Sequence, residues 1–287
     1  MPSRTVAIAT CAEHPGPDDE NRLLLEALEA RGIDVAAVPW TSPGGWEGFD
    51  AVVVRMTWDY TSRLDEFRRW TRAVAARLHN GAAAIGWNAD KRYLFDLRRD
   101  GIPVVAGEHL PPGAAFIAPT EGRYVVKPTA SAGARDTAVY DGAREDAARE
   151  HVAALHAAGR DVLVQPYLGS VETEAESAVV FIDGRLSHCM RKGPLLALDQ
   201  PLVEGLYRPE DMRRRDGAED VLELARRTHA VATNRFGPLL YARVDVLRDD
   251  DGTPTVLELE LIEPSLFLDH APGAAEALAA AVERRVG

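Results

Sequence analysis

Hydrophobic positions in the first ninety residues follow two alternating periods. Continuous apolar runs at Thr5–Thr10, Asp34–Pro39 and Asp50–Arg55 predict buried strands. Apolar residues recurring at helical spacing predict helices over Glu20–Arg31 and Leu64–Leu78. Leu24, Ala27 and Leu28 form the apolar stripe of the first helix, and Gly32 stands just past its end. The β-branched run Val52–Val54 suits a central parallel strand covered on both faces. The order β-α-β-β-α predicts a small doubly wound domain.

Beyond it the pattern changes. Asp90–Arg99 reads as a helix that stops at Gly101-Ile-Pro103, and a segment rich in Pro and Gly follows. Strand Arg123–Lys127, strand Thr137–Tyr140, helix Arg144–Gly159 and strand Val162–Gln165 form a compact β-β-α-β unit. Strands Ala178–Ile182 and Leu186–Arg191 are joined by Asp183-Gly184, a tight hairpin turn. A polar, irregular stretch, 193–216, leads to helix Ala218–Arg235. Strands Tyr241–Arg248 and Thr255–Leu261 meet through a turn at Asp249–Gly252, and helix Ala274–Arg285 closes the chain. This punctuation divides the chain into domains 1–88, 89–168 and 169–287.

Composition narrows the function. The chain has 287 residues, 46% hydrophobic and 27% charged, and a net charge of −12, which is ordinary globular composition. No basic stretch exceeds Arg213–Arg215, so nothing predicts a nucleic-acid partner. No apolar run approaches the ~20 residues of a membrane span, and the N-terminal apolar run is too short for a signal peptide. Cys11 and Cys189 match no metal spacing and are expected to be a reduced pair in a cytoplasmic protein. A homodimer or higher homo-oligomer is left open.

Of 33 basic residues only Lys91, Lys127 and Lys192 are lysines. In a chain that writes arginine wherever a surface charge will do, a retained lysine points to a place the planar guanidinium cannot fill. Lys127 ends a strand and precedes the small-residue loop Thr129–Arg135, an arrangement that suits a phosphate. The bland readings are chance survival for all three, a helix-surface charge for Lys91 and a solvated strand end for Lys192.

The last hairpin carries the second signal. Arg243 and Asp245 share one face of their strand, and Glu258 and Glu260 share one face of theirs. Antiparallel pairing then brings three carboxylates and an arginine together. A half-solvated sheet would show the same alternation. Three converging carboxylates need a cation between them, and oxygen ligands suit Mg²⁺.

Together these features resemble the ATP-grasp superfamily, in chain order from about Asn88 to Pro264. Ala89-Asp-Lys91 with Gly101-Ile-Pro103 looks like the opening of its nucleotide-binding module. Tyr124–Pro128 with its loop resembles the second lysine and the loop that closes over phosphates. Leu163–Leu168 looks like the adenine-contacting hinge. The hairpin Tyr241–Asp245 and Leu257–Glu260 resembles the metal site of D-alanine–D-alanine ligases. The resemblance implies an α/β (α+β) ATP-grasp fold: an N-terminal doubly wound domain, a small central lid and a C-terminal antiparallel-sheet domain. Two positions depart from it. Glu260 stands where many relatives have asparagine, and Gln165 where many have glutamate.

What the resemblance implies for the site is an ADP-forming ligase using ATP and Mg²⁺. Lys91, Lys127, Ser131, Gly133 and Lys192 would meet the phosphates. Gln165, Tyr167 and Leu168 would meet adenine, and either Glu172 or Glu176 the ribose. Asp245, Glu258 and Glu260 would hold the metal, with Arg243 and Lys127 catalytic. An amino-acid-like carboxylate would be activated as an acyl phosphate. Arg55, Trp58, Tyr60 and Ser265 are its expected contacts; inter-domain packing for the aromatic pair, and a plain turn for Ser265, remain open. His188, lone on an apolar hairpin, reads as structural. Phe181–His188 and Leu259–Phe267 are similar to a small ATP-grasp group that includes the cycloserine-forming cyclo-ligase, which implies cyclisation of O-ureido-D-serine. An intermolecular amino-acid ligase and a non-catalytic nucleotide-binding module are the alternatives.

Overall fold

A computed structural model describes residues 4–196, 198 and 211–286. The N-terminal sheet is built from β1 (Arg4–Thr10), β2 (Ile33–Pro39), β3 (Ala51–Met56) and β4 (Leu78–His79), in the order β2-β1-β3-β4 with every neighbour parallel. Helix α1 (Asp19–Glu29) crosses between the first two strands, and Asp18 caps it by accepting from the Asn21 amide. Helix α2 (Leu64–Ala73) is shorter than its periodicity predicts. The apolar pattern runs on to Leu78, but Leu78 pairs with Val52 as the first residue of β4. A non-local strand pairing there overrides a local helical signal.

Helices α3 (Ala82–Asn88) and α4 (Tyr93–Arg99) bridge to the second sheet. That sheet has the order β5-β8-β6-β7, from β5 (Glu108–Leu110), β6 (Tyr124–Pro128), β7 (Ala138–Tyr140) and β8 (Val162–Pro166), all antiparallel. Helix α5 (Glu145–Ala157) covers one face through Ala148, Val152 and Leu155. The pattern at 108–110 is too short to predict a strand, so β5 is an addition.

After the single turn of α6 (Ser170–Thr173), the third sheet runs β11-β10-β9-β12-β13. Its strands are β9 (Glu176–Ile182), β10 (Arg185–Lys192), β11 (Met212–Arg214), β12 (Tyr241–Arg248) and β13 (Pro254–Glu260). The β9–β10 turn is Asp183-Gly184, both with positive φ, the backbone a two-residue hairpin requires. The stretch read as irregular, 193–216, contributes β11; its central part lies outside the described residues. Helix α7 (Glu219–Phe236) packs on β12 and β13, and α8 (Ala274–Glu283) packs on α1.

One apolar core runs from Val6, Leu24 and Leu28 of the N-terminal sheet through Tyr241 to Leu278 and Val282 of α8. Two asparagines fix the same junction. Asn80 donates to the carbonyls of Tyr241 (2.9 Å) and Leu261 (2.7 Å) and accepts from the Leu240 amide (2.8 Å). Asn88 donates to the Leu259 carbonyl and accepts from the Leu261 amide, each at 2.7 Å. The first and third sheets are therefore tied through backbone groups on both strands of the β12–β13 hairpin.

Candidate active site

The three sheets enclose a cavity of about 510 Å³. The hairpin brings the two faces together as expected, with Arg243 opposite Glu260 and Asp245 opposite Glu258, through a bulge between Asp245 and Val246 that shifts the register by one residue. Glu258, Glu260 and Arg243 line the cavity, whereas Asp245 lies beneath the surface at 1% exposure. The cations among these carboxylates belong to the protein itself. Lys91 Nζ lies 2.9 Å from Glu258 and donates to the Ser131 carbonyl at 2.8 Å. Lys192 Nζ is 2.8 Å from Asp245 and 3.1 Å from Glu176. Arg243 donates twice to Asp245, at 2.9 and 3.0 Å, and also to Glu260 and the Ser265 carbonyl.

Both bland readings of these lysines are overturned. Lys91 and Lys192 are buried, one beside Glu258 and the other between Asp245 and Glu176. Lys127 is also buried in the cavity wall, and it ion-pairs with no described residue. Burial pulls its pKa down to about 8, opposed by Glu258 and reinforced by Lys91.

The carboxylates respond in opposite directions. Burial alone would raise Glu258, but Lys91 and Lys127 outweigh it and hold its carboxyl below the usual range. Asp245 is likewise held low, because Arg243 and Lys192 outweigh its burial. Burial raises Glu260 to about 7, with Arg243 opposing and Glu258 reinforcing.

The expected three-carboxylate metal cluster is not preassembled. Among the described residues no group of three His, Cys, Asp or Glu side chains is arranged to hold a metal ion. The reason is the internal cations: Asp245 has both oxygens engaged by Arg243 and Lys192. Glu258 and Glu260 do fit a hard divalent cation, being oxygen donors on the cavity wall.

One end of the cavity is walled by Ser131, Gly133, Gln165, Tyr167 and Leu168. Gln165 is anchored by donating to the Val105 carbonyl at 3.2 Å. The loop after Lys127 turns through positive φ at Gly133 and Ala134 and is pinned by Arg160, which donates to the Ala130 carbonyl. Of the two ribose candidates, Glu176 is buried on the cavity wall beside Lys192. Glu172 is corrected: it is off the wall, paired at the surface with Arg123 at 2.5 Å and with the Tyr167 hydroxyl at 3.0 Å.

Trp58, Tyr60 and Ser265 line the opposite end. Tyr60 also stacks on Phe67, so its cavity and packing positions are compatible. Arg55 is corrected: it is 2% exposed and off the cavity wall. Its guanidinium turns back to Glu20 (2.5 Å) and Asn21 (2.8 Å), over the Tyr241 ring. Glu20 in turn accepts from the Leu266 and Phe267 amides, which secures the loop holding Ser265. His188 is structural, bonded to the Leu266 carbonyl at 2.8 Å. Among the wall residues that pattern reading did not select are Asp18, Val105 and Glu263. Glu263 had a signal, an isolated charge in the apolar run Leu261–Phe267.

Two lysine-bearing walls facing a carboxylate hairpin, with a parallel sheet closing the far end, make this an ATP-grasp ligase fold. A family model described as the N-terminal domain of D-cycloserine synthetase DcsG matches residues 6–80. The cycloserine biosynthesis protein DcsG of Streptomyces lavendulae is 35% identical over 279 residues, covering 92% of each chain. The crystal structure of D-cycloserine synthetase DcsG superposes with a TM-score of 0.90 at 32% identity, covering 99% of this chain and 100% of that one. The chain belongs to this D-cycloserine synthetase family. A D-alanine–D-alanine ligase from Bacillus anthracis complexed with ATP shares the fold at TM-score 0.64 and 13% identity, covering 99% of this chain and 97% of that one.

Proposed function

We propose that the protein converts O-ureido-D-serine to D-cycloserine at the expense of ATP. The observation that carries this reading is its relation to D-cycloserine synthetase over nearly the whole chain, at a TM-score of 0.90. The carboxylate takes the γ-phosphoryl group and becomes an acyl phosphate. The ureido nitrogen bonded to oxygen attacks the acyl carbon, closes the ring and expels phosphate. Hydrolysis of the carbamoyl group then releases carbon dioxide and ammonia.

The chain's own residues supply charge and position. Lys91 and Lys127 neutralise phosphate oxygens. Arg243, fixed by Asp245, faces the oxygen that gains charge in the tetrahedral intermediate. Glu258 and Glu260 would hold Mg²⁺, joined by Asp245 if Lys192 releases it. Bound Mg²⁺ offsets charge on the phosphate oxygens. Glu176 serves the ribose and Gln165 the adenine edge. The loop 129–135 shields the acyl phosphate from water. Both cysteines are free and buried, which fits a reducing cytoplasm.

The test is ADP release with O-ureido-D-serine alone, with the product identified by mass spectrometry. D-cycloserine formation without an added amine is expected. ADP release that requires a second amine substrate would overturn the cyclisation.

A further inference from the structure

With Arg55 withdrawn, the substrate end of the cavity carries, among the described residues, one arginine, Arg243, on a wall that includes Trp58, Tyr60 and several acidic groups. Its acidic groups are not equivalent. Asp18 is satisfied as the cap of α1, accepting the Asn21 amide and side chain at 2.8 Å. Glu260 is held by Arg243. Glu263 lines the same cavity, and its Oε2 is buried with no hydrogen-bond partner among the described residues. Arg55 lies close enough to act on Glu263 electrostatically, yet its ion pair is with Glu20. A buried acceptor left without a donor is destabilising, so its presence on a cavity wall calls for a ligand that donates.

We propose that Glu263 is the subsite for the substrate's ammonium group, and that it selects carboxylates bearing a protonated amine on the adjacent carbon. The placement fits a small zwitterion. Arg243 donates to the carbonyl of Ser265, two residues along the same segment, so the arginine and the ammonium acceptor belong to one stretch of the cavity wall. Trp58 and Tyr60 close that end as an apolar wall. Burial and the neighbouring Glu260 push the Glu263 carboxyl well above the usual carboxylate range. The subsite rests on the function proposed above but assigns a residue and a chemistry that the reaction alone does not.

The test compares two substrates on two proteins. O-ureido-D-serine and its analogue with hydrogen in place of the amine are assayed by ADP release on the wild type and on Glu263→Gln, which keeps volume and removes charge. The wild type should favour the amine-bearing substrate by about 100-fold in kcat/KM, the size of a lost charge-assisted hydrogen bond. In Glu263→Gln that preference should fall to within a few-fold of one. An unchanged preference, whatever the loss of overall rate, overturns the subsite. If Glu263→Gln does not fold, Glu263→Asp keeps the charge on a shorter arm and should retain most of the preference; an Asp variant that loses it overturns the subsite. If the wild type makes no D-cycloserine, the function reading falls, and the same comparison with whichever amino acid supports ADP release still decides the subsite.

Discussion

Lys127 and Lys192 are both buried lysines on one cavity wall, and replacing each by methionine should move stability in opposite directions. Lys192 Nζ sits 2.8 Å from Asp245 and 3.1 Å from Glu176, with side chains 6%, 1% and 10% exposed. Removing one partner of a buried pair costs about 3–5 kcal/mol; because Asp245 keeps Arg243, the lower figure applies. Lys127 has no ion pair with a described residue to lose, and burial lowers it from 10.5 to about 8. The unfolded chain therefore binds its proton more tightly than the native protein. That penalty is present below pH 8 and disappears as pH rises to 10.5, and at neutral pH it amounts to roughly 3 kcal/mol. For a chain of 287 residues each kcal/mol moves Tm by about 2 °C. Calorimetry of the protein without nucleotide or metal at pH 7 should show Lys192→Met melting about 5 °C lower and Lys127→Met a few degrees higher. Shifts of the same sign would refute the reasoning. Isothermal titration with ATP should find both weakened, since both lysines line the cavity.

Three further outcomes follow from the same geometry. ATP affinity should decline about tenfold per pH unit above pH 8 as Lys127 loses its proton, and Lys127→Arg should flatten that slope; an unaltered slope in the variant would exclude Lys127. Arg55→Ala should lower Tm by several degrees, because it leaves Glu20 buried without its cation, while KM for ATP stays near the wild-type value; a selective rise in KM for the carboxylate would return Arg55 to the pocket. Asn80→Ala should cost about 3 kcal/mol in chemical denaturation, because it strips partners from the buried Leu240 amide and the carbonyls of Tyr241 and Leu261; a loss below 1 kcal/mol would show that water replaces them.

Sequence reading reached features set by local period or short turns. Period two puts Arg243 with Asp245 on one face of β12, and Glu258 with Glu260 on one face of β13, before any coordinates; their pairing is not set by the turn, because Arg248 pairs with Pro254 and a bulge beside Val246 then shifts the register by one residue to bring Asp245 opposite Glu258. The Asp183-Gly184 turn was equally legible. What escaped depends on distant chain. Arg55 looks like a pocket residue because it ends a parallel strand, but its direction is decided by Glu20, 35 positions earlier, and by backbone amides more than 200 positions later. Glu172 and Glu176 are indistinguishable by spacing, and only the pairing of β9 with β10 puts Glu176 beside Lys192. The internal cations in the carboxylate cluster were hidden for the same reason, since Lys91 reaches Glu258 on β13 from the distant turn between α3 and α4.

The asparagine contacts bear on how such an enzyme can change its substrate. Asn80 closes the N-terminal segment, and Asn88 follows one helix later, yet every backbone group they serve lies in residues 240–261. A recombinant that exchanged residues 1–88 for those of a relative would inherit the junction only if the incoming segment presented the same two amides at the same depth. Otherwise the hairpin carrying Arg243, Glu258 and Glu260 would lose the scaffold that sets its orientation. Segment shuffling is thus a poor route to new specificity in this architecture. Point changes on the cavity wall, at Trp58, Tyr60, Glu263 or Ser265, leave the junction intact and offer the shorter mutational path.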